Sequence, residues 1–135
     1  MPVSDEFADL LAQIFTYDLE FQGSFEVASV EAREKAYNGI GPDWVPTSLR
    51  EWMTDHWGYF APAAVIHDWD YCHPIMRNKA DFHEANERFR RNCHKLLRKG
   101  VPWYKRWLYK IRVDELADAC ELFGFAGYIA AGRKA

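Results

Sequence analysis

The chain has 135 residues, 49% of them apolar and 16% aromatic, so it is long enough to bury a core and too apolar to stay disordered. Its net charge is only −3. No apolar run approaches the roughly 18 residues of a transmembrane helix. An N-terminus with Asp5, Glu6 and Asp9 and no basic residue does not have the pattern of a secretory signal peptide.

Three cysteines, Cys72, Cys93 and Cys120, match neither a disulfide framework nor a zinc motif, and a reducing compartment is expected.

In chain order, Ser4 to Tyr17 reads as a helix capped by Ser4, with Phe7, Leu10, Leu11, Ile14 and Phe15 on one face. Gln22-Gly23-Ser24 breaks the pattern. A second helix is expected from Phe25 to Ala36, with a thin stripe of Val27, Ala28 and Val30. Tyr37-Asn38-Gly39-Ile40-Gly41-Pro42-Asp43 follows as a tight loop whose glycines let backbone groups approach a ligand. A plain helix-terminating turn would look the same.

Residues 43–59 are tryptophan-rich and irregular, with a short helix around Ser48 to Met53. Trp44, Trp52 and Trp57 would pack over the core or line a pocket. Ala61 to Tyr71 reads as the central helix, with Pro62 at its first position and His73-Pro74 ending it. Asn78 caps the next helix, Lys79 to Lys99, whose stripe is Phe82, Ala85, Phe89, Cys93, Leu96 and Leu97. Pro102 opens another, offering Trp103, Trp107, Leu108, Ile111, Leu116, Ala119 and Leu122 for burial. A short apolar helix from Phe125 to Ala131 closes the chain. The expected fold is a single all-α domain over residues 1–135, built around an antiparallel helix pair beside a glycine-rich loop.

The charge is uneven. Residues 1–87 hold 16 acidic and 5 basic residues, whereas residues 88–112 hold ten basic residues and no acid, with Trp103, Trp107, Tyr104 and Tyr109 among them. Such a block suits phosphates at a lipid surface, or it is two solvated helix faces balancing the acidic half. No fold-specific nucleic-acid motif accompanies it, so nucleic acid is not the expected partner.

The residues able to do chemistry sit on the central helix. His67 and Tyr71 are four apart and share a face, while Asp68 points about a quarter-turn away. Such a histidine is either a satisfied core residue or a general base. Asp81 lies 14 residues after it, at the start of the next helix. An antiparallel hairpin would let Asp81 orient one ring nitrogen and leave the other for water. Asp70 would add charge near a metal or face water. If the glycine loop docks beside Asp68, its carbonyls and that carboxylate make an all-oxygen cluster suited to Ca²⁺.

The order Y-x-G-x-G (Tyr37 to Gly41), H-D-x-x-Y (His67 to Tyr71) and an Asp opening the next helix (Asp81) resembles the phospholipase A2 superfamily. It resembles most the small disulfide-poor branch of phage, prophage and viral proteins, through Asn38-Gly39-Ile40-Gly41, Ala63 to Tyr71, Ala80-Asp81-Phe82 with downstream Asn86, and Phe123-Gly124. The resemblance covers residues 37–132 and leaves residues 1–36 as a helical extension. It implies His67 as general base, Asp81 orienting it and Tyr71 bonded to that dyad. It also implies Ca²⁺ held by Asp68 and the carbonyls of Tyr37, Gly39 and Gly41, with the Gly39 N–H toward the oxyanion. The implied reaction is hydrolysis of a glycerophospholipid ester, in a cytoplasmic or virion-associated setting. Pro42, the long stretch 43–60 and the absence of cysteines around the motif depart from the secreted enzymes.

Two other readings stay open. The chain also resembles phage-borne proteins with A-A-x-x-H-D-x-x-Y followed by Gly100-Val101-Pro102 and Ile111-Arg112, which implies a non-catalytic virion or assembly protein contacting other virion proteins. A metal-dependent HD phosphohydrolase would use His56, His67-Asp68 and Asp81 or Asp114, leaving the glycine loop without a task.

Overall fold

A computed structural model describes residues 4–37 and 47–134. Among them there are eight helices and no strand: α1 (Asp5–Thr16), α2 (Gly23–Val27), α3 (Val30–Ala36), α4 (Thr47–Asp55), α5 (Trp57–Cys72), α6 (Lys79–Gly100), α7 (Trp103–Phe123) and α8 (Phe125–Lys134). The fold is all-α. No described helix is long and apolar enough to cross a membrane.

Helix α1 starts where Ser4 Oγ accepts the Phe7 N–H at 3.2 Å, satisfying a donor that the first turn leaves unpaired. It buries Phe7, Leu11 and Ile14, and leaves Phe15 at the edge, half exposed against Phe21. The helix expected over Phe25–Ala36 is two helices. Ser29 Oγ captures the Ala32 N–H and starts α3 anew, while Arg33 donates to the carbonyls of Phe25 and Glu26, both at 2.8 Å, and so caps the end of α2. Val27 consequently points to solvent.

Helix α5 is the centre of the molecule and packs against α1, α3, α4, α6 and α8. Phe60, Ala61, Ala63, Ala64, Val65, Ile66 and Trp69 are all buried, and a helix apolar on every side belongs inside. It begins at Trp57, so Pro62 lies a full turn inside rather than at the first position. The missing N–H there removes one backbone hydrogen bond near the helix start. Trp52 packs against Phe60, His56 and Tyr109, which joins α4 to the core.

Helices α6 and α7 complete the layer. Asn78 Oδ1 accepts the Asp81 N–H at 2.9 Å, the cap read from the sequence. Two asparagines, Asn86 and Asn92, are buried on α6 among its apolar residues. Asn92 exchanges two hydrogen bonds with the Glu20 backbone, at 2.8 and 2.9 Å, and pins the loop after α1. Helix α7 is buried only in its second half, at Val113, Leu116, Ala117, Ala119 and Cys120. Trp103, Trp107, Leu108, Ile111 and Leu122, expected to be available for burial, are exposed.

Candidate functional site

His67 and Tyr71 come together as their spacing predicts, with ring centroids 4.3 Å apart. Both address one atom on the facing helix. His67 Nε2 lies 2.9 Å from Asn86 Oδ1, and the Tyr71 hydroxyl donates to the same oxygen at 2.8 Å. Asn86 Nδ2 in turn donates to Glu121 Oε2 on α7 at 2.8 Å. The other Glu121 oxygen, Oε1, is 2.9 Å from His83 Nδ1 at the surface. A polar chain therefore runs from the central helix to solvent through three helices.

His67 is partly exposed by area, yet protein surrounds its ring closely enough that burial holds the imidazole down at about 4, with the Asn86 hydrogen bond opposing. The ring is neutral at pH 7. Burial also pushes the Tyr71 hydroxyl well above the usual phenol range, so it stays protonated. Burial tends to raise the Glu121 carboxyl, but its hydrogen bonds to Asn86 and His83 prevail and hold it below the usual range, so it stays ionised.

Asp81 is not the partner of His67. Its Oδ2 accepts the backbone N–H groups of Met76 and Arg77, the latter in the left-handed region at φ 51°. The reason is register. His67 faces Asn86 and Tyr71 faces Phe82, so Asp81 falls opposite the end of α5, where its carboxylate closes the connecting loop. Asp70 also departs from expectation. It is 3% exposed, accepts from Gln22 at 3.0 Å and pairs with Arg88 at 2.7 Å. It neither faces water nor lies free for a metal. Burial pushes its carboxyl up to about 6 against the pull of Arg88.

Of the expected calcium ligands, Tyr37 ends α3 with its ring 5.9 Å from Phe7. Asp68 is partly exposed beside the site, and its charge helps raise both the Tyr71 hydroxyl and the Cys120 thiol. Gly39 and Gly41 lie outside the described residues. Among the described residues no three His, Cys, Asp or Glu side chains gather closely enough to hold a metal. The HD constellation is not assembled either. His56 stands 11 residues before His67, about 16 Å along the helix axis, with Nδ1 donating to the Trp52 carbonyl at 2.8 Å. Asp114 is taken by Arg90 and His94. A cleft of about 340 Å³ opens around His56, Tyr59 and Leu96, away from His67. Cys72, Cys93 and Cys120 are not joined in disulfides.

Asn86 was legible as a polar residue in register with the apolar stripe Phe82, Phe89 and Cys93. Nothing local marks Glu121, which reaches the site across 35 residues.

No curated protein and no solved structure matches the chain. Residues 36–113, from the end of α3 into α7, match a family described as "Protein of unknown function (DUF1353)". This stretch carries His67, Asp68, Tyr71 and Asn86, though not Glu121. As the match spans more than half of the chain, the protein belongs to the DUF1353 family.

Proposed function

We propose that the protein hydrolyses a glycerophospholipid ester in a calcium-dependent reaction, with His67 as the general base and Asn86, rather than Asp81, orienting it. The observation that carries this reading is the convergence of His67 Nε2 and the Tyr71 hydroxyl on Asn86 Oδ1, with Asp68 adjacent on the same helix. With Nε2 engaged, His67 Nδ1 is the nitrogen left for water. It takes a proton as the water oxygen bonds to the ester carbonyl carbon, and returns that proton to the leaving alkoxide when the C–O bond breaks. Asn86 and Tyr71 hold the ring in place through these steps. Calcium, bound by Asp68 and the carbonyls of Tyr37, Gly39 and Gly41, would polarise the carbonyl oxygen.

The basic-aromatic block supports a lipid surface as partner, in a narrower form than its sequence suggests. On α6, Arg88, Arg90, Arg91 and Lys95 are paired with Asp70, Asp114, Asp118, Glu20, Glu84 and Asp18. The first half of α7 instead exposes Trp103 (78%), Tyr104 (57%) and Trp107 (64%) beside Lys105 and Lys110. Aromatic rings among cations suit the headgroup region of an anionic membrane.

The test is release of fatty acid from phosphatidylglycerol vesicles, with and without millimolar Ca²⁺. Activity that needs both calcium and His67, and that is abolished in His67→Gln, is the expected result. An asparagine where a carboxylate would better stabilise an imidazolium favours a second reading, a non-catalytic phage virion or assembly protein that keeps the network for rigidity. Indifference to both calcium and His67 would select it. Vesicle co-sedimentation lost in Trp103→Ala/Trp107→Ala checks the surface separately.

A further inference from the structure

We infer that Glu121 is a positioning residue for His67, acting through Asn86. It fixes the orientation of the Asn86 amide and thereby holds the imidazole as the Nε2–H tautomer, with its lone pair on Nδ1.

Donors and acceptors decide this. An ionised carboxylate only accepts, so the Asn86 atom 2.8 Å from Glu121 is the Nδ2–H. The amide oxygen must then face α5. Its two lone pairs meet the Tyr71 hydroxyl at 2.8 Å and His67 Nε2 at 2.9 Å. An oxygen acceptor facing a ring lone pair would be repulsive, so Nε2 carries the hydrogen. A neutral imidazole has one N–H, which leaves the lone pair on Nδ1. Turning the amide over would set its oxygen against the Glu121 carboxylate, acceptor against acceptor. Asn86 is 1% exposed, so water has little access to relieve that clash. At the outer end, His83 Nδ1 lies 2.9 Å from Glu121 Oε1 and steadies the carboxylate.

The tautomer follows from the hydrogen bonds alone, and only its use in ester hydrolysis rests on the proposed function. Glu121 is thus a determinant of the site that lies beyond the residues matched by the family.

The test is a long-range ¹H–¹⁵N correlation spectrum of the full chain labelled at histidine, which reports each ring tautomer directly. The wild type is expected to show His67 as neutral Nε2–H from pH 8 down to about pH 5. Glu121→Gln, whose amide oxygen still accepts from Asn86, retains that signature. Glu121→Lys presents a donor, turns the Asn86 amide over and moves His67 to the Nδ1–H form. Glu121→Leu removes the preference and yields both forms. Three results overturn the inference: an Nδ1–H signature in the wild type, or an unchanged Nε2–H signature in folded Glu121→Lys or in Glu121→Leu. The wild-type spectrum decides even if a variant does not fold. Fatty-acid release is measured on the same samples. Its absence alongside the expected tautomer changes would overturn the hydrolase reading alone.

Discussion

Replacing His67 by Gln separates the titration of the buried imidazole from its hydrogen bond, because a Gln amide can still donate to Asn86 Oδ1. Burial sets the folded value at about 4 against an ordinary 6.5. Between those values the unfolded chain binds a proton that the folded chain refuses. The stability associated with a neutral His67 is therefore fully present above pH 6.5 and lost as pH falls toward 4. At about 1.4 kcal/mol per pH unit, and allowing for the curvature near the unfolded value, lowering pH from 7 to 5 removes about 2 kcal/mol through this residue. Asp70 works in the opposite direction. Its folded carboxyl is raised to about 6 from 3.8, so its contribution to stability grows as pH falls through that window, by about 1 kcal/mol between pH 7 and 5. The wild-type profile is accordingly flatter than either component. Urea unfolding followed by tryptophan fluorescence at pH 7, 6 and 5 measures the difference between wild type and His67→Gln. That difference should shift by about 2 kcal/mol in favour of the variant at pH 5. A difference that stays constant over this range refutes a neutral, buried His67.

Three further substitutions probe the surroundings of the site. Asp70→Asn keeps an accepting side-chain oxygen beside Arg88 and Gln22 but has no proton to gain, so it should remove the gain in stability on acidification that the raised Asp70 carboxyl provides; urea titrations at pH 7 and 5 read this. A Cβ at position 124 would stand 2.5 Å from the Cys120 carbonyl oxygen and 2.9 Å from the Tyr71 hydroxyl. Gly124→Ala is therefore expected to lower stability by about 1–3 kcal/mol and to weaken the Tyr71–Asn86 bond, seen as a shift of the Tyr71 hydroxyl proton in the NMR spectrum. Tyr128 is fully buried, and its hydroxyl is the unpaired buried side-chain polar atom among the described residues. Tyr128→Phe should raise the urea midpoint, by an amount equivalent to about 1 kcal/mol; a fall would mean that the hydroxyl has a partner in solution.

Helix existence was legible wherever a periodic apolar face met a capping residue. Ser4 before Phe7, Leu11 and Ile14, and Asn78 before the α6 stripe, are such cases. Legibility failed where a distant group decided the backbone. Arg33 reaches back to two carbonyls and divides the expected second helix. The burial of α7 failed for a related reason: its apolar residues are spread along its length, and only packing against α6 and α8 selects Val113 to Cys120 as the covered half.

The site divides the same way. Local geometry alone determined that His67 and Tyr71 share a face and that Asp68 turns aside, since residues four apart on a helix lie one above the other. It also determined the Asn78 cap, because that hydrogen bond spans three residues. Which residue meets His67 was a tertiary matter. The connection between α5 and α6 sets their register, and Asp81 binds that connection's own amides while Asn86, further along α6, comes level with the imidazole. Glu121 is further removed still, brought in by the return of α7 along α6. Sequence spacing reports what one helix does to its own side chains. The hydrogen bonds that give His67 its orientation and its free nitrogen cross between three helices, and only their packing brings those partners together.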